Sequence, residues 1–145
     1  MDAPVNRAEL ILQAALALFV VQGFDATAVP EIASRAGVGT GTVYRHFPDK
    51  SGLVNVLFRR WRADFNRNIL APMPLQLSPA AQFSTYWRRV LGWYRGQLDP
   101  AVFLELHCHD TYLDTHSRQI AGAHEQALKA FVKSGIGACA LRPTE

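Results

Sequence analysis

The sequence predicts an all-α chain in which a three-helix helix-turn-helix unit leads into a larger helical bundle. Three observations predict it. Apolar residues recur at spacings of three and four along most of the chain, with capping residues before the runs and Gly or Pro after them. No alternating apolar–polar run of useful length occurs, so no strand is assigned. Finally, Gly37-Val38-Gly39 separates two short helical runs and leaves room only for a sharp reversal.

Taken in order, Asn6-Arg7-Ala8-Glu9 has the spacing of a capping box, and Ile11, Ala14, Ala15 and Leu18 follow at helical spacing until Gly23. Thr27 is expected to cap a second helix from about Val29 to Ala36, with Pro30 in its first turn and Gly37 ending it. The third helix covers Thr40 to Phe47, and Ile32, Ala33, Val38 and Val43 form the small core between the two. Asp49, after Pro48, caps a long fourth helix in which Leu53, Leu57, Trp61 and Phe65 repeat every four residues. The break at Ala71-Pro72-Met73-Pro74 reads as a boundary. Ser78-Pro79 opens a fifth helix, with Phe83, Trp87, Val90, Leu91 and Tyr94 as its inward stripe. Asp99-Pro100 repeats the start signal for a sixth helix carrying Phe103, Leu106 and His107. Thr115 caps a seventh, with Ile120, His124, Leu128 and Phe131, which Gly135 and Gly137 terminate.

Composition sets the outer limits. A chain of 145 residues with 49% hydrophobic content is globular, not disordered. Fifteen basic residues against 12 acidic ones give a formal charge of +3, too mild to prove a nucleic-acid partner without local placement. Cys108 and Cys139 lie far apart with no CxxC spacing, so free thiols are expected. No secretory leader is recognised, and no run approaches the roughly 18 uninterrupted apolar residues of a membrane span, so a cytoplasmic chain without a membrane partner is expected.

The third helix carries the most specific chemistry. At about 100° per residue, Val43 and Phe47 share an inward face, and Arg45 centres the opposite one. Gly41 and Thr42 flank Arg45, with Tyr44 at the edge. Such a surface suits a DNA groove: glycine permits close backbone approach, hydroxyls and the phenol donate to phosphates, and Arg forks onto guanine. On its own, a short helix with Thr, Tyr and Arg outward is more often a solvated surface.

The run Gly23-Phe24, Thr27, Ile32-Ala33, Ala36-Gly37-Val38, Gly41-Thr42-Val43-Tyr44, His46-Phe47, Lys50 and Leu53 resembles the DNA-binding domain of the tetracycline-repressor (TetR) family of bacterial regulators. The resemblance implies a DNA-binding domain over residues 1–50 and a helical ligand-binding domain over 51–145. It implies a homodimer on an inverted-repeat, double-stranded operator, released by a small-molecule effector, with repression the family habit and no cofactor. Position by position, Thr40, Thr42 and Tyr44 match residues that meet bases or backbone, and Arg45 matches a variable contact position. His46 and Lys50 match phosphate contacts, and Gly41 and Thr27 are grouped with them as DNA-binding residues. The family's cavity lies among the later helices, which puts Trp61, Phe65, Trp87, Tyr94 and Phe103 forward as ligand-binding, with His107 as the polar tether. Three departures stand out: Gly39 in place of a usual cap, Ala28 in place of a common hydroxyl, and Ser51-Gly52 in place of an acidic pair. The stretch from Gly137 to Glu145 resembles the linker that precedes two further dimer-forming helices in the family, so a regulatory domain incomplete at its C-terminus is expected.

Other chemistries are weaker. His107-Cys108-His109-Asp110, with Asp114, His116 and His124, is the one cluster that suggests metal, but adjacent helical residues point about 100° apart. Cys108 has no identifiable base or oxyanion donor, so no catalytic residue is assigned. An all-helical metal-binding or enzymatic bundle with an incidental helix-turn-helix stands as the alternative. Arg59, Arg60, Arg62, Arg88 and Arg89 read as solvated helix faces.

Overall fold

A computed structural model describes residues 6–72, 76–106 and 111–137. Seven helices, and no strand, occur among the described residues: α1 Arg7–Ala26, α2 Val29–Ala36, α3 Thr40–His46, α4 Lys50–Ile69, α5 Pro79–Gly96, α6 Leu98–Leu106 and α7 Thr115–Gly137.

Most boundaries follow from local chemistry. The Asn6 side chain accepts hydrogen bonds from the Ala8 and Glu9 amides, which starts α1. Its buried stripe, Ile11, Leu12, Ala14, Ala15, Leu16, Leu18 and Phe19, is the core of the N-terminal unit. By length and mean hydropathy α1 could cross a membrane, which the unbroken-run criterion missed. Here that apolar surface is spent on packing against α2, α3, α4 and α6. Gly23 breaks α1 at φ 78°, and a single helical turn carries the chain to Ala26. Gly37 ends α2 with φ 66°, a left-handed conformation that suits glycine, while Val38 N–H bonds back to Ala33 O at 3.0 Å. Asp49 caps α4 through the Gly52 amide at 2.7 Å, and Ser78 caps α5 through the Ala81 amide at 3.3 Å.

Two caps differ from expectation. Ala28, not Thr27, is the N-cap of α2, with no side-chain cap at all. The Thr27 hydroxyl donates instead to Gly23 O at 2.7 Å, which closes the turn after the break in α1. At the start of α7, Asp114 takes the role given to Thr115, its carboxylate accepting from the Ser117 amide at 2.7 Å. In the first case the Gly23 carbonyl engages the Thr27 hydroxyl, and in the second the Asp114 carboxylate takes the orphan amide.

The inward face of α5 also differs. Tyr86, Val90 and Trp93 are buried, whereas Trp87 and Leu91 are 47% and 52% exposed. The helix is aromatic on several sides, so spacing alone could not choose its buried stripe.

α4 is the axis of the molecule. It packs against α1, α5, α6 and α7, and it buries Leu53, Val54, Leu57, Phe58, Phe65 and Ile69 on more than one side. The break after α4 does not divide two cores. Phe65 of α4 meets Trp93 of α5 edge-on at 4.9 Å, and Phe19 of α1 stacks on Phe103 of α6 at 6.3 Å, so one apolar core runs from end to end.

Candidate nucleic-acid interface and regulatory region

α3 is rooted by Val43 and Phe47, at 1% and 7% exposure. Outward from that root it presents Gly41, Tyr44, Arg45 and His46 as exposed residues, with Thr40 and Thr42 half-buried beside them. Tyr44 is 52% exposed. The face is cationic and hydroxylated, without acidic side chains of its own. Its first turn has no side-chain cap, since Gly39 stands there. Gly52, an apparent flaw in α4, has a local reason: a Cβ there would lie 3.2 Å from Pro48 Cδ, so glycine lets the proline ring fold onto the first turn.

Two of the expected DNA contacts have internal partners. Thr27 is 1% exposed and accepts from Gln22 Nε2 at 3.3 Å as well as donating to Gly23 O, so it is an internal staple. Lys50 is half-buried. Its ammonium donates to Phe24 O at 2.7 Å and Thr27 O at 2.9 Å, with Asp25 O at 3.5 Å, and lies 4.2 Å above the Phe24 ring. The carbonyls at the end of α1 form a negative dipole end that attracts the cation more closely than open solvent would. Lys50 therefore ties α1 to α4.

A second tie fixes the other end of α1. Arg60 donates to Glu9 at 2.7 Å, and the Arg60 guanidinium holds the Glu9 carboxyl below its ordinary range. The orientation of the three N-terminal helices is thus set from α4 at two points.

A third connection comes from the loop before α7, which sequence reasoning missed. Tyr112 stacks on Phe24 at 3.8 Å and donates its phenol to Asp25 Oδ1 at 2.8 Å. Asn55 of α4, 5% exposed, locks the same loop by donating to Tyr112 O and accepting from the Asp114 amide, 2.9 and 2.8 Å. Arg59 completes it with an ion pair to Asp114 at 2.8 Å and a hydrogen bond to Ser117 at 3.1 Å. Asn55 in the middle of an apolar run was the available signal, because a buried amide demands partners.

The expected effector residues do not gather in one place. Phe103 is 0% exposed and belongs to the seam with α1. Trp87 faces outward beside Phe83 and Tyr86. Trp61 lies under the Arg60 guanidinium and lines a groove of about 130 Å³ with Glu9, Leu12, Gln13, Leu16, Leu57 and Arg60, between α1 and α4. Only Phe65 and Tyr94 remain together, 6.3 Å apart. His107, and the Cys108-His109-Asp110 run after it, lie outside the described residues. A larger groove of about 460 Å³ runs along α4 and α5, lined by Asp64, Asn68, Arg89, Gly92, Trp93, Gly96 and Gln97. It is open and polar, and Arg89 is already committed to Ala71 O at 2.6 Å and Ile69 O at 3.3 Å, so it does not resemble an enclosed effector cavity.

Between α4, α5, α6 and α7 the structure instead gathers polar groups around Phe65. Arg62 is 8% exposed, not a solvated residue as expected, and pairs with Glu105 at 3.4 Å. His124 Nδ1 lies 2.7 Å from Asn66 Oδ1, its ring edge-on to Phe65 at 5.4 Å. Burial pushes the His124 pKa down, and the Arg62 charge adds to this. Among the described residues no three His, Cys, Asp or Glu side chains come close enough to hold a metal ion.

Residues 11–57 match the profile of the bacterial regulatory proteins of the tetR family. The HTH-type transcriptional regulator YvkB of Bacillus subtilis is 44% identical over 54 residues, 37% of this chain and 28% of that protein. The HTH-type transcriptional regulator BetI of Cronobacter sakazakii is 33% identical over 96 residues, 66% of this chain and 45% of that protein. These matches therefore span less than half of either curated relative. A tetR-family transcription regulator from Shewanella sp. PV-4 superposes with a TM-score of 0.72 at 29% identity, covering 90% of this chain and 72% of that one. With α3 exposed on a core shared with α1 and α2, and the helical layout continued through α7, residues 11–57 match the N-terminal domain of the tetR family of bacterial regulatory proteins and the chain shares the fold of that solved regulator.

Proposed function

We propose that this chain is a transcriptional regulator that holds an inverted-repeat operator as a homodimer, represses the adjoining gene in the bacterial cytoplasm, and is released by a small-molecule effector. The observation that carries the reading is α3 itself: an exposed face of Gly41, Tyr44, Arg45 and His46 on a helix locked from behind by Val43 and Phe47. One such helix reads only a few base pairs, so useful specificity needs two copies about one helical turn apart. Thr40, Thr42 and Tyr44 meet the sugar-phosphate backbone and base edges, Arg45 reads a base, and His46 meets phosphate.

Release works through the ties around α1. A change in the bundle reaches the reading head along α4, through Lys50 and Arg60, and along the α6–α7 loop, through Tyr112 and Phe24. A ligand shifts this equilibrium only by its differential affinity for the two arrangements, typically about 1 to 3 kcal/mol.

Selection of bound duplexes from a random DNA pool tests the reading. The expected product is an inverted repeat with a guanine in each half-site that is lost on Arg45→Ala; recovery of no common sequence would contradict it.

A further inference from the structure

The bundle interior holds a buried cation whose hydrogen bonding is incomplete. Arg62 sits between the Phe58 and Phe65 rings, 5.6 Å from each centroid, with 8% of its surface exposed. Its Nε is buried and has no hydrogen-bond partner among the described residues, although a guanidinium offers five donors in a rigid fork. Its Nη1 reaches Glu105 only at 3.4 Å, long for a charge-assisted bond, and the Glu105 side chain is 43% exposed. Burying a charge with so little compensation is costly, and native interiors seldom leave such a donor unmet.

Resting on the ligand-responsive reading above, we propose that Arg62 is the anchor for the carboxylate of an amphipathic organic acid, the effector, and that Glu105 is the internal carboxylate this acid displaces. The Nε–Nη2 edge donates to a carboxylate side-on, which satisfies the orphan Nε, and the added negative charge beside Nη1 repels Glu105 from its long contact there. Glu105 has solvent to move into. The exchange replaces one monoanion by another, so no net charge enters the apolar interior, whereas a phosphate dianion would add one. The body of the acid meets an aromatic wall: the guanidinium lies against Phe58 and Phe65, and Phe65 meets Trp93 and Tyr94 edge-on at 4.9 and 6.3 Å. Burial pushes the Tyr86 and Tyr94 phenols up, with the nearby Glu105 carboxylate adding to it, so both stay protonated.

The test needs no DNA, so its failure is distinct from failure of the operator reading. The whole chain is titrated with hexanoate, octanoate, decanoate and phenylacetate, and with the corresponding amides, by tryptophan fluorescence and by melting temperature. At least one acid is expected to bind with its amide weaker by about 10-fold or more, as loss of a charge-assisted pair requires. Glu105→Gln removes the competing charge, so it should tighten the acid and leave the amide unchanged. Arg62→Lys, which keeps the charge but loses the fork, should weaken the acid while circular dichroism stays that of a folded chain. A purely structural Arg62–Glu105 pair predicts the contrary: Glu105→Gln lowers the melting temperature and alters no ligand. That result, equal binding of acids and amides, or no binding of any acid in the panel, would overturn the assignment.

Discussion

The reading head and the bundle bury similar kinds of apolar residue, yet they are specified differently. In α1 to α3 several determinants have one local option: Asn6 as a cap, Gly37 at φ 66°, and Val43 and Phe47 as the buried anchors of α3. In α4 to α7 the helices carry aromatics on several sides, and the polar groups Asn55, Arg62 and Ser117 are buried among them. Rigid local determinants hold one face of α3 outward, whereas buried polar groups have more than one possible arrangement where packed apolar interiors have little freedom.

The comparison breaks most sharply at the seam. Phe103→Ala removes a fully buried ring that stacks on Phe19 of α1 and should cost about 3 to 5 kcal/mol. One cooperative unfolding transition, lowered as a whole, is expected by circular dichroism and by tryptophan fluorescence alike. Two separated transitions would mean that head and bundle hold independent cores.

Lys50 gives the next largest effect. Lys50→Met keeps the apolar stem but removes the bonds to Phe24 O and Thr27 O, which should cost about 1.5 to 3 kcal/mol of stability. The slope of log Kd against log salt should stay unchanged in DNA binding. If stability is unaltered and the slope falls by about one unit instead, Lys50 is a phosphate contact after all.

These two residues show how far the sequence was legible. The seven helices and the turn between α2 and α3 follow from caps, breakers and spacing, which act within a few residues. The exposed face of α3 was legible for the same reason, because Val43 and Phe47 leave only one way to orient it. The internal partners of Lys50 and Thr27, the carbonyls at the broken end of α1, were not legible because they become neighbours only when the helices pack. Trp61, Phe65, Trp87, Tyr94 and Phe103 share aromaticity but not a location, and spacing carries no information about which neighbour each helix face meets. Arg62 read as a surface residue beside Arg59 and Arg60, and only its position on the crowded side of α4 buries it.

A smaller effect probes the bundle. Burial holds the His124 pKa below its ordinary value of 6.5, so the folded chain keeps the ring neutral where the unfolded chain binds a proton. Its contribution is therefore fully present above about pH 6.5 and is lost as pH falls through the folded value. Asp64 and Glu9, held low by Trp93 and Arg60 respectively, lose their contributions only in the carboxylate range. Melting temperature should thus decline between pH 7 and 5, and His124→Gln should flatten that decline while leaving the more acidic limb in place; an identical profile for the variant would remove His124 from the account.

The central claim is that α3 reads DNA through Arg45. The most direct measurement is fluorescence anisotropy of the whole chain on its selected operator and on a duplex with scrambled half-sites, with Arg45→Ala alongside and the salt varied. The account predicts that Arg45→Ala loses about 1 to 3 kcal/mol on the operator, almost nothing on the scrambled duplex, and melts like the parent chain. Equal loss on both duplexes would assign Arg45 to the phosphate backbone, and no loss on either would contradict the claim that this face meets DNA.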